Sequence, residues 1–88
     1  MKPRTKQIRF GPKTAESDYQ SKLRKTKEIL GKGYRVEVKM VFRGRELLLE
    51  PASREVFNRL IDDLKHEAKP MNQVVLRGRV LSVLLEAR

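Results

Sequence analysis

The chain has 88 residues, 39% of them hydrophobic, with 21 Lys and Arg against 11 Asp and Glu and a net charge of +10. That length and aliphatic content suit one soluble domain, residues 1–88, with a single core and not a disordered tail. Cysteine is absent and no stretch approaches the roughly 20 apolar residues of a membrane span, which excludes disulfides, thiolate metal sites and a bilayer-crossing helix.

A large basic excess selects polyanionic partners, because every phosphate a cation neutralises releases condensed counterions. Most of it lies early: residues 1–35 hold 11 basic and 3 acidic groups, 36–68 hold 6 and 7, and 69–88 hold 4 and 1.

Lys6-Gln7-Ile8-Arg9-Phe10 alternates polar and apolar and stops at Gly11-Pro12, which predicts a short edge strand. Ser17-Asp18-Tyr19-Gln20 has the form of a capping box, and Tyr19, Leu23, Thr26 and Leu30 then recur at helical spacing up to Gly31-Lys32-Gly33. This is the first helix. Tyr34, Val36, Val38, Met40 and Phe42 alternate with mostly charged neighbours, the clearest strand in the chain.

Gly44 interrupts that pattern, Pro51 suits a first helical position, and Val56, Phe57, Leu60, Ile61, Leu64 and Ala68 form an apolar stripe. A second helix is predicted from Pro51 to His66. Val74–Leu76 and Val80–Leu85 flank Arg77-Gly78-Arg79 and read as a hairpin. The order is β-α-β-α-β-β, an α+β two-layer sandwich whose four-stranded mixed sheet carries both helices packed on one face.

Little in the chain suits catalysis. His66 is the only histidine, and neither a nucleophile–base pair nor a phosphate loop nor a metal-ligand spacing occurs, so no catalytic residue, metal or cofactor is expected. Asp62 and Asp63 are adjacent on a helix, point about 100° apart, and read as a solvated acidic face.

The cations are more informative. On the first helix Lys22 and Lys25 follow one flank of the apolar stripe, and Arg24 and Lys27 follow the other. Arg43-Gly44-Arg45 and Arg77-Gly78-Arg79 place guanidinium groups on tight turns, where they suit bidentate phosphate contacts and stacking on unpaired bases. Tyr19 fits either the core stripe or a ring presented to a base. RNA, and not DNA or a membrane, is the expected partner.

Several blocks carry a family resemblance. Phe10-x-Pro12, Asp18-Tyr19-Gln20-x-Lys22-Leu23-Arg24, Phe42-Arg43-Gly44-Arg45-Glu46, Asn58-Arg59 with Asp62-Asp63-Leu64, and Gly78-Arg79 resemble the C-terminal domain of bacterial translation initiation factor three, in order along nearly the whole chain. The resemblance implies a monomeric, cytoplasmic, non-enzymatic domain that binds 16S-type rRNA of the small ribosomal subunit near the P-site platform. Such a domain blocks large-subunit joining and supports start-codon and initiator-tRNA fidelity. An organellar matrix or stroma would be the location if a transit peptide had preceded Met1. Carried over by position, the rRNA-facing residues are Tyr19, Lys22, Arg24, Arg43, Arg45, Arg59 and Arg79, with Lys25, Lys27 and Arg77 added from the charge pattern.

Departures from the family pattern fall at Gly11, Glu28 and Val41, where it favours basic residues, and at Leu49, where it favours a polar one. They support an alternative reading, a divergent stand-alone RNA-binding or ribosome-assembly module on the same fold. The family's N-terminal domain and lysine-rich linker lie outside these residues, which leaves open a domain cut from a longer chain and a natural single-domain copy.

Overall fold

A computed structural model describes residues 4–11 and 15–88. Alternation builds the sheet. In β2 (Arg35–Val41) the side chains of Val36, Val38 and Met40 are buried. β1 (Thr5–Phe10) runs parallel to it, setting Ile8 beside Val38 and Phe10 beside Met40. β5 (Val80–Ala87) runs antiparallel on the other side, with Leu85, Val83 and Leu81 opposite Val36, Val38 and Met40. Opposed residues share a face, so these side chains form one apolar wall.

Both helices close over that wall. α1 (Glu16–Gly31) supplies Tyr19, Leu23, Thr26 and Leu30, so every member of the predicted stripe is buried. α2 (Glu50–Asp63) supplies Phe57 and Leu60, with Leu64 directly after it, and all the apolar ones join a single core cluster. Thr26 satisfies its buried hydroxyl by donating to the Lys22 carbonyl at 2.7 Å. The opposite sheet face carries polar residues, among them Gln7, Glu37 and Lys39.

The sheet has five strands and not four. β3 (Ala68–Pro70) and β4 (Val75–Arg77) both pair with β5 along the edge that β2 leaves free, at Leu85–Ala87 and Val80–Ser82 respectively. Between them the ladder is bridged locally: the Met71 amide donates to the Leu84 carbonyl at 2.8 Å, and the Leu84 amide donates to Asn72 Oδ1 at 3.0 Å. One interrupted strand thus counts as two. Pro70, which has no amide hydrogen, stands beside the interruption.

Two predicted boundaries move. The second helix ends at Asp63 and not His66, because the next residues turn to bring Ala68 into register with Ala87. The capping box does not form: α1 begins at Glu16 with Ala15 as its N-cap, which leaves Ser17 inside the helix, and Gln20 donates to Glu16 at 2.9 Å. Glu16 and Asp18 in the first turn still suit the helix dipole. A 3-10 helix (Gly44–Leu49), unpredicted from the pattern, carries the chain from β2 into α2.

Candidate RNA-binding surface

The sheet register decides which cations meet. β2 ends where β5 begins, with Val41 opposite Val80, and the Phe42 amide donates to the Arg79 carbonyl at 2.8 Å. The Arg43-Gly44-Arg45 turn and the hairpin tip therefore lie side by side at one end of the sheet. Phe10 is beside Met40 at the same end, and the Lys22 ammonium sits 5.9 Å from the centre of its ring. Lys22, Arg43, Arg45, Arg77 and Arg79 thus gather at that end.

Both turns have defined shapes. Gly44 takes φ +53° and Gly78 φ +61°, conformations that L side chains rarely adopt. Gly78 and Arg79 alone separate Arg77 from Val80, and a positive φ at the first of two central residues matches a II′ hairpin. Glu46 braces the other turn. Its amide donates to the Arg43 carbonyl at 2.9 Å, and its Oε1 accepts from the Arg43 amide at 2.8 Å. The two arginine side chains remain exposed.

Arg24, Lys25 and Lys27 are exposed on α1, but the last two lie toward the opposite end. Lys25 lines a pocket with Lys6, Lys32 and Tyr34, whereas Lys27 borders a shallow cleft with His66 and Arg88. Lys6, Lys32 and Tyr34 were not singled out in the sequence. The end of α1 sets Lys32 and Tyr34 together, and the parallel pairing of β1 with β2 brings Lys6 to them.

Tyr19 and Arg59 are engaged within the domain. Tyr19 is 2% exposed, its ring centroid is 6.3 Å from that of Phe10, and its hydroxyl donates to Asp63 Oδ2 at 2.5 Å. Burial, then the bond to Asp63, raises its pKa above the usual phenol range. The Arg59 guanidinium carbon lies 4.1 Å from the Tyr19 ring centroid, and the guanidinium donates to both Glu16 oxygens at 2.8 and 2.7 Å. Those bonds, followed by that from Gln20, hold the Glu16 carboxyl at about 2. A base has no open ring face to stack on at Tyr19, and a phosphate reaching Arg59 would have to displace Glu16.

Among the described residues, Arg59 is the only one of the nine proposed cations with a carboxylate partner. The acidic pair Asp62-Asp63 is divided, since Asp62 stands 3.9 Å from Lys65 and Asp63 accepts from Tyr19. No group of three or more His, Asp or Glu capable of holding a metal ion occurs among the described residues. No helix there is long and apolar enough to cross a membrane. Leu48 is 81% exposed in the 3-10 helix beside the arginine turn, an open apolar side chain that charge patterning does not single out.

The family described as translation initiation factor IF-3, C-terminal domain, matches residues 3–88. Over 80 residues, 91% of the chain, it is 38% identical to translation initiation factor IF-3 of Thermus thermophilus, covering 47% of that protein. The corresponding protein of Nitratidesulfovibrio vulgaris is 36% identical with 46% covered, and that of Porphyromonas gingivalis is 35% identical with 40% covered. The chain spans less than half the length of these curated relatives.

Proposed function

The chain belongs to the C-terminal domain family of translation initiation factor IF-3, and on that premise we propose that it binds the small ribosomal subunit through 16S-type rRNA near the P-site platform. The observation that carries this reading is the end of the domain where Lys22, Arg43, Arg45, Arg77 and Arg79 converge without carboxylate partners among the described residues. An unpaired guanidinium exchanges only water and counterions for a phosphate, and two rigid turns hold four of them at low conformational cost. A bound domain at that place blocks large-subunit association and supports start-codon and initiator-tRNA selection. The chain acts as a monomeric, non-enzymatic, cytoplasmic factor.

Arg24, Lys25 and Lys27 extend the contact along α1. Arg59 joins it when phosphate replaces Glu16, and Tyr19 acts as the support on which Arg59 stacks.

Sedimentation of ribosomal subunits at low magnesium tests the proposal. Saturating wild-type chain is expected to lower the associated fraction, and Lys22→Glu with Arg79→Glu to abolish the effect while the domain stays folded. An associated fraction unmoved by the wild type would refute it.

A further inference from the structure

A second basic concavity lies away from that end, between the C-terminal half of α1 and the start of β1. Lys6, Lys25, Glu28, Ile29, Lys32 and Tyr34 line an open pocket of about 440 Å³. Its shape follows from how α1 stops. Gly33 takes φ +84°, its amide donates to the Leu30 carbonyl at 2.9 Å, and the Tyr34 amide donates to the Ile29 carbonyl at 3.3 Å. These are the paired bonds of a Schellman closure, which sets the residue after the glycine against the helix residue five before it. Tyr34 is thereby seated beside Ile29, half-buried, with no hydrogen bond to its hydroxyl among the described residues.

Strand pairing supplies the charge. Lys6 lies beside Val36, two residues along from Tyr34 on the same side of the strand, and reaches diagonally to hold its ammonium 5.7 Å from the Tyr34 ring centroid. Lys25 on α1 and Lys32, which caps its C-terminus, are seven residues apart, about two turns along one side. None of the three lysines makes an ion pair among the described residues, and Glu28 is the single acid lining the pocket.

Three ammonium groups without carboxylate partners among the described residues surround a seated aromatic ring, with Lys6 over the ring and able to swing to a phosphate when a base takes its place, and they match one kind of ligand. A bare anion would leave the ring unused, and an apolar molecule would leave the charges unanswered. A nucleotide uses both: its base stacks on the phenol, its phosphates meet the lysines, and Glu28 offers an acceptor for an exocyclic amine. We propose that this pocket binds an unpaired nucleotide of a single-stranded RNA, with the base on Tyr34 and the flanking phosphates on Lys6, Lys25 and Lys32. Lys32 is about 15 Å along the axis of α1 from Lys22, so Lys6, Lys32 and Tyr34 form a contact distinct from the arginine end and independent of ribosome binding, with Lys25 standing between the two.

Fluorescence anisotropy of a labelled, unpaired, adenine-rich oligoribonucleotide titrated with the chain tests this. Tyr34→Ala is expected to weaken binding about tenfold and Tyr34→Phe to leave it unchanged, as loss of one stacked base predicts. Removing Lys6 and Lys32 together should lower the salt slope by about 1.4, the share of two phosphates on a single strand. An abasic strand of equal length should bind as weakly as Tyr34→Ala binds the intact one. Tyr34→Trp, the chain's sole tryptophan, gives a second readout and should be quenched on stacking.

Equal affinity in Tyr34→Ala, tight binding of the abasic strand, an unquenched tryptophan, or displacement of the strand by equimolar adenosine monophosphate would each overturn the proposal. If Lys22→Glu with Arg79→Glu abolishes oligonucleotide binding and Tyr34→Ala does not alter it, the pocket proposal fails while the ribosomal one stands. Loss of subunit binding with intact Tyr34-dependent oligonucleotide binding is the reverse case.

Discussion

Replacing Tyr19 with Phe removes one oxygen and separates a supporting role from a contact role. The hydroxyl donates to Asp63 at 2.5 Å, and a hydrogen bond to a charged group contributes about 1.5–3 kcal/mol when fully sheltered. The Asp63 side chain is 35% exposed, so water recovers part of that energy and a net loss of about 1 kcal/mol is expected. In a domain of this size that lowers Tm by about 4–8 °C. The ring remains, and with it the packing on Phe10 and the stacking of Arg59. Urea unfolding followed by circular dichroism measures the stability, and binding to small subunits is measured on the same preparation. Lower stability with unchanged affinity is the expected pair of results. Unchanged stability would refute the energetic role of the bond, and a large fall in affinity from a fully folded variant would show that the hydroxyl meets RNA directly.

The acid response of Glu16 has a definite sign. Its folded pKa is depressed from 4.5 to about 2, so its contribution is complete above the unfolded value and disappears as pH falls from about 4.5 through about 2. The stability gap between wild type and Glu16→Gln should close across that window, and a gap constant to its lower end would exclude the Arg59 pairing as its source. Gly44→Ala and Gly31→Ala should act in opposite directions. A Cβ meets nothing within 4 Å at either, but Gly44 holds φ +53° and Gly31 is helical, so the first should lose about 1 kcal/mol and the second gain up to about 1 in urea unfolding. Equal effects would remove the conformational explanation. Arg79→Ala should reduce the salt slope of subunit binding by about 1, whereas Lys39→Ala, whose ammonium is 3.4 Å from Glu37, should leave it unaltered; matching slopes would show that total charge, and not placement, governs affinity.

Periodicity revealed the core because burial obeys it. Tyr19, Leu23, Thr26 and Leu30 recur on one helix face, and Val36, Val38 and Met40 alternate in a strand with one buried face. It failed where tertiary pairing overrode local pattern. Ala68-Lys69-Pro70 has no alternation of its own, and becomes a strand only because β5 extends far enough to pair with it after passing β4. Ser17 and Gln20 have the residue types of a capping box, yet a helix starting at Glu16 puts Ser17 in its first turn. Turn arginines were visible as Arg-Gly-Arg repeats, but their adjacency depended on the Val41–Val80 register. Asp63 and Glu16 are 47 residues apart in sequence and meet at Arg59 only in the fold. No spacing rule shows that Arg59 is already occupied.

Pairing within the domain also explains why net charge alone describes this chain poorly. Arg35 lies 3.7 Å from Glu86, Lys39 3.4 Å from Glu37, and Arg59 is gripped by Glu16. A phosphate approaching any of these must compete with a carboxylate, so the exchange yields little. At the arginine end it competes with water and mobile ions, and in the Tyr34 pocket also with Glu28 and with the Tyr34 ring that holds Lys6. The two places differ in geometry: one projects guanidinium groups from rigid turns toward a surface, and the other is a concavity with an aromatic wall. Folded duplex RNA offers its backbone to the first but cannot insert a base into the second. A ribosomal partner presenting both a helix backbone and a nearby unpaired nucleotide would engage both at once, and linking two such contacts through one rigid domain raises affinity beyond either alone.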